Sequence, residues 1–140
     1  MANAWGTSWG SAWGASWGSG SAPNPTLVWA DRCHQTSQTA GTGNLTLSGT
    51  PIAKRPFSAV LNAGDACYGW AASQTVNEFE VTLFTFQSDG TLARAATPLA
   101  SSNGGALVDF SGTVLDVMLD VPAKVLAASL TTPGYTVVAR

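Results

Sequence analysis

Few side chains in this sequence are equipped for chemistry. The single histidine, His34, stands directly beside Cys33 in Asp31-Arg32-Cys33-His34. A Cys/His nucleophilic pair needs thiol and imidazole within hydrogen-bond reach, and a zinc site needs several ligands at recognisable spacing. Neighbouring residues on an extended chain point to opposite sides, so this pair fits neither demand and both residues read as structural or surface groups. Cys33 and Cys67 are the only cysteines and belong to no CxxC or Cys/His cluster. They read as unpaired thiols filling small apolar sites, with one bridge between them as the alternative.

Two carboxylate pairs come next. Glu78 and Glu80 are two residues apart, Asp116 and Asp120 four apart, and each pair would share one side of a strand. Glycosidic acid/base work uses carboxylates about 5 to 9.5 Å apart, a distance that strand neighbours can meet. No aromatic-lined cleft or companion motif accompanies either pair, and acids along an exposed strand face are ordinary solvation. Asp65, Asp89 and Asp109 lie at turns without an EF-hand arrangement, and the glycines form no phosphate loop. No metal and no cofactor are expected, and the chain does not read as an enzyme. Arg94 follows a turn in an almost charge-free stretch and is expected to pair across a hairpin with Glu78 or Glu80, fixing register. Trp29, Tyr68 and Trp70 would form a carbohydrate-binding surface only if exposed together in a groove.

The elements that must position these residues read as short strands. Leu27-Val28-Trp29 opens the domain, Gln35–Gly43 reads as a polar connection, and Leu45 and Leu47 alternate with polar residues. Phe57, Ala59 and Leu61 share one parity, and a turn at 62–65 leads into 66–71, the pattern of a hairpin. Glu78–Phe86 is the strongest strand, with Glu80, Thr82, Phe84 and Phe86 opposite Phe79, Val81, Leu83 and Thr85. Apolar groups on both sides place it centrally or under a partner chain. The turn 87–90 returns through 91–94, a loop at 101–105 precedes 107–110, and Val117, Leu119 and Val121 alternate with Asp116, Met118 and Asp120 before Pro122. Residues 123–130 suit a turn or more of helix, and Tyr135–Val138 a last strand. The fold class is all-β, a small antiparallel β-sandwich or barrel-like domain with an extended N-terminal arm.

The arm is the clearest feature. Trp5, Trp9, Trp13 and Trp17 recur every fourth residue, each followed by glycine, and a Ser/Gly/Pro linker ends near Pro25. Residues 1–25 are therefore arm and linker, and 26–140 the β domain. A glycine in every turn costs a helix about 1 kcal/mol relative to alanine, which favours an extended or irregular arm. Period four is even, so an extended arm gathers the indoles on one side and the glycines on the other. Each indole brings about 2 to 3 kcal/mol of apolar burial and an N–H that needs an acceptor, the properties of an anchor between subunits. An arm folded back on its own domain, or an inert low-complexity tail, is the plainer alternative.

Only 10% of the 140 residues are charged, against about a quarter in common globular domains, so the surface is cheap to desolvate against a protein neighbour. The formal charge of −2 comes without any basic run, which argues against direct nucleic-acid binding. Apolar stretches fall short of the roughly 18 residues of a membrane span, and the start shows no signal-peptide pattern. No membrane insertion is expected.

The runs Leu27–Arg32, Gly41–Gly49, Asn77–Val81, Leu92–Arg94, Leu99–Gly105 and Val108–Thr113 together resemble a module of small virion proteins of tailed bacteriophages. The likeness spans roughly residues 27 to 122, and the tandem Trp-Gly arm is similar to arms of short phage proteins. Cys33-His34 replaces a charged and polar pair, and Phe79 stands where tryptophan is common. The resemblance implies a virion protein made in the host cytoplasm, with other virion proteins and further copies of itself as partners. Its placement would be a tail or tail-fibre adaptor, with capsid decoration as the alternative.

Overall fold

The computed structural model describes residues 25–129. Within them lie eight strands: β1 (His34–Ser37), β2 (Ala40–Gly41), β3 (Ala66–Ser73), β4 (Phe79–Phe86), β5 (Leu92–Arg94), β6 (Ala100–Ser101), β7 (Phe110–Ser111) and β8 (Leu115–Leu119). One helix, α1 (Ala123–Ser129), follows. The main sheet runs β1-β8-β3-β4-β5 with β6 also on β4, every pairing antiparallel, and β2 pairs with β7 separately. The fold is all-β with a minor helix. The sheet curls into a half-barrel, and its two edges approach one segment: Leu47 bridges Ser37 of β1, while Leu45 bridges Leu92 of β5.

Alternation along each strand explains the curl. On β4, Glu80, Thr82, Phe84 and Phe86 are buried while Val81, Leu83 and Thr85 are half-exposed; on β8, Leu115, Val117 and Leu119 are buried. These side chains meet Leu45, Phe57, Leu92, Phe110, Cys33 and Cys67 in one core. Pro122 ends the β8 path and its carbonyl accepts from the amides of Val125 and Leu126, starting α1.

Three sequence expectations need correction. Gln35–Gly43 is not a mere connection, because it contains edge strand β1 and the short β2. Its inward positions are polar: Gln35 accepts from the Phe57 amide at 2.9 Å and donates to the Ser48 carbonyl at 3.2 Å, while Ser37 bonds Thr39 at 2.9 Å. Satisfied polar groups thus fill positions where hydrophobic alternation would have announced a strand. Phe57, Ala59 and Leu61 are no hairpin arm, since Phe57–Ala59 is a turn of 3-10 helix. Pro56 fixes φ at −70°, and the Phe57 carbonyl accepts from the amides of Val60 and Leu61, so Phe57 and Leu61 are buried through helical spacing. The stretch 107–110 contributes only Phe110 to a strand, β7. Residues 135–138 and the arm with Trp5, Trp9, Trp13 and Trp17 lie outside the described residues.

Gly69 is where β3 and β8 approach most closely. A Cβ there would sit 2.1 Å from the Met118 carbonyl oxygen, a backbone atom that cannot swing aside. Gly69→Ala is expected to separate the β3–β8 ladder and cost about 3 kcal/mol or more. Equilibrium urea unfolding would check this, and a loss under about 1 kcal/mol would contradict it.

Candidate functional site

Two features of the half-barrel carry charge or open surface, and they lie on opposite sides of the sheet. Inside, Glu80 on β4 faces Arg94 on β5, and Nη1 donates to Oε2 at 3.0 Å with both side chains almost completely buried. The same carboxylate oxygen accepts from the Val108 amide at 2.9 Å. Arg94 spends its other donors on backbone: Nε on the Gly43 carbonyl at 3.0 Å, Nη2 on Gly41 at 3.1 Å, and Nη1 again on Val108 at 3.1 Å. Its guanidinium carbon lies 5.1 Å from the centre of the Phe110 ring. Of the two acids expected to pair with Arg94, Glu80 does so. Glu78 turns to the same neighbouring segment and accepts from the Ser111 amide at 3.0 Å and hydroxyl at 3.1 Å. Glu80 Oε1 and Thr82 Oγ1 are buried without a hydrogen-bond partner among the described residues. The pair is enclosed by its protein contacts, which makes it a tie between segments.

On the outer side, His34 Nε2 lies 2.8 Å from Asp116 Oδ1, which also accepts from Gln74 at 3.2 Å. His34 Nδ1 is buried and without a partner among the described residues, so no hydroxyl or thiol is engaged by the imidazole. Cys33 is buried on the opposite face, as expected of adjacent strand residues. Asp120 accepts from the adjacent Val121 amide and does not join Asp116. Asp65 and Asp89 are occupied in their turns, bonded to the Asn62 amide at 2.8 Å and to the Thr91 amide and hydroxyl. The Thr91 hydrogen bonds hold the Asp89 carboxyl below its ordinary pKa. Among the described residues no group of three or more His, Cys, Asp or Glu could hold a metal ion, and no helix is long and apolar enough to cross a membrane.

The outer face is otherwise apolar and partly open. Trp29 is 45% exposed and stacks on Tyr68 with ring centres 6.0 Å apart and planes 18° from parallel. Trp70, two residues further along β3, lines a cleft of about 530 Å³ with Val81, Leu99, Val121 and Pro122. Asp120 and Lys124 stand at the same cleft, and Lys124 Nζ donates to the Leu99 carbonyl at 2.9 Å. Asp120 and Val121 also line a smaller hollow beside Trp29, so the two openings adjoin at these residues. Sequence reasoning picked out all three aromatics but not the cleft. The separating signal was Pro122, which stops β8 and starts α1 over the sheet. No protein-family model, curated protein or solved structure matches the chain.

Burial sets the thiol chemistry. It pushes Cys33 up to about 11, with Arg55 pulling slightly the other way, and Cys67 up to about 12, with Cys33 adding to the rise. Both cysteines are free. A native thiol pKa above the unfolded value contributes stability that is complete below the ordinary value of 9.0 and is lost as pH climbs toward 11 and 12. At pH 8 both thiols of the folded protein are expected to react at least about 100-fold more slowly with a disulfide reagent than in denaturant. Stability should decline above pH 9, and rapid reaction of either thiol in the native state would contradict the assignment.

The inner pair makes a separate claim. Arg94→Met leaves the Glu80 charge buried alone and is expected to cost about 3 to 5 kcal/mol. Glu80→Leu combined with Arg94→Met removes both charges and should recover at least about 1 kcal/mol of that loss. Urea unfolding of the single and double variants checks the coupling, and additive losses would contradict it.

Proposed function

We propose that this chain is a structural protein of a phage virion, a tail or tail-fibre adaptor whose N-terminal arm anchors it to a neighbouring protein. The observation that carries this reading is the outer face of the sheet. Among the described residues Leu27, Trp29, Ile52, Val76, Phe79, Val121 and Leu126 are exposed, and of these Trp29 and Val121 line the openings of that face, in a chain with few charges to oppose their burial. Open apolar surface of this kind marks a protein interaction site. The phage assignment rests on the resemblance across residues 27 to 122, and other virion proteins and further copies of the chain are the partners it implies. In this reading the half-barrel, bridged at both edges by the Leu45–Leu47 segment, is a small β-barrel, and residues 1–25 are its arm and linker. An enclosed Glu80–Arg94 tie suits a rigid scaffold, and the chain is proposed to have no enzymatic activity.

One observation favours a second reading. Trp29 is open to solvent and stacks on half-buried Tyr68, and half-buried Trp70 lines the cleft, which is part of the exposed aromatic arrangement that a carbohydrate-binding adhesion module needs. The arm separates the two readings. Deleting residues 1–22 is expected to leave a folded β domain, by circular dichroism and cooperative unfolding, while reducing its occupancy in sedimented particles at least tenfold. Full occupancy by the truncated chain would overturn the anchor and favour the sugar surface.

A further inference from the structure

We propose that the outer-face cleft beside Trp70 receives an indole of the Trp-Gly repeat from a second copy of this chain. The inference rests on the anchoring role given to residues 1–25 and names the site that receives them. The cleft, at about 530 Å³, falls within the size range of sites that bury small organic groups and is large enough for an indole. Its walls at Trp70, Val81, Leu99, Val121 and Pro122 are apolar, and the carboxylate of Asp120 offers an acceptor for an indole N–H.

The chain outside the described residues supplies a matching ligand. Residues 1–24 contain four tryptophans and no charged side chain, so the arm loses no charged group's hydration on contact, and the charges of the cleft are confined to Asp120 and Lys124. A glycine after each indole allows close approach of the backbone. The four-residue spacing, about 13 Å in an extended strand, lets one indole enter while the next meets surface further along, toward Trp29 and Tyr68.

Direction favours a second copy over the chain's own cleft, and length allows it. Leu27 pairs in parallel with Ala66, whose amide donates to the Thr26 carbonyl at 2.8 Å and whose carbonyl accepts from the Val28 amide at 2.9 Å. Followed back toward its N-terminus, the chain therefore leaves Ala66 in the direction opposite to Trp70. Twenty-four residues reach at most about 80 Å when extended, well beyond the width of a domain of this size. Each copy thus presents a cleft and a chain that at Leu27 heads away from it, which suits a head-to-tail contact that closes into a ring or propagates.

Complementation of two full-length variants tests this. Trp5, Trp9, Trp13 and Trp17 all changed to Ala removes the indoles and keeps the cleft. Val121→Glu charges the cleft at a position 41% exposed in the folded domain and keeps the arm. In sedimentation velocity the wild type should self-associate with rising concentration, and each variant alone should do so at least tenfold more weakly. Their mixture should form a one-to-one heterodimer, since one partner contributes an intact arm and the other an intact cleft; this pairing also shows that both variants are folded. A mixture that stays monomeric overturns the proposal, as does a wild type that is monomeric at all concentrations. If that monomeric wild type nevertheless enters particles and the quadruple variant does not, the anchoring role survives and the second-copy docking falls. If neither loses occupancy, both fall.

Discussion

A guanidinium with no access to water needs its donors answered, and the four hydrogen bonds that Arg94 makes from its five N–H groups organise the interior. Its partners come from places far apart in the chain: Glu80 on β4, the carbonyls of Gly41 and Gly43, and the carbonyl of Val108. Glu80 closes the circuit through the Val108 amide. The segments held this way have little ladder of their own, since β2 and β7 are two residues each and Leu45 joins its neighbours by an isolated bridge. Stripping two ions of water costs several kcal/mol each and is offset only when geometry is complete. The pair therefore specifies where the two-residue strands lie more than it adds stability.

With Glu80 and Arg94 committed inward, the outer side keeps His34 paired to Asp116, and the surface around Trp70 is largely apolar with Asp120 and Lys124 at its cleft. Period-two alternation sends Glu80, Thr82 and Phe84 inside and Val81 and Leu83 outside. Pro122 then turns the chain from β8 into α1, and its first residues, Ala123 and Lys124, line the cleft with Trp70 and Val81. One strand pattern thus yields both a core fixed by a buried ion pair and a largely apolar outer surface around Trp70. Proposed adaptor function and proposed arm docking both draw on that outer surface.

Much of this division was legible in the residues. Glu78–Phe86 announced a central strand because large apolar groups occupy both parities, and a lone arginine after the turn at 87–90 pointed to its acidic partner across the hairpin. Strand β8 was legible through the alternation of Val117 and Leu119 with Asp116 and Met118, which overran at Val121, since that residue lies past the strand end and is exposed. Strand β1 was not, because Gln35 and Ser37 face inward and are satisfied by partners 22 and 2 residues away, which no local pattern records. Phe57 and Leu61 misled for the opposite reason, since three residues sharing a parity also fit one turn of a helix when a proline precedes them. Of the outer site, the sequence exposed its aromatics but not its cleft, which depends on how α1 sits over β3 and β4.

Native-state hydrogen exchange, followed amide by amide in dilute and concentrated full-length protein, tests the central claim that the inner pair fixes the domain and the outer face is what association covers. The account requires the Val108 amide to exchange only with global unfolding at both concentrations, while amides from Leu119 to Lys124 slow at least tenfold on association. Exchange of Val108 well ahead of the core strands, or unchanged rates along the cleft in the associated protein, would contradict it.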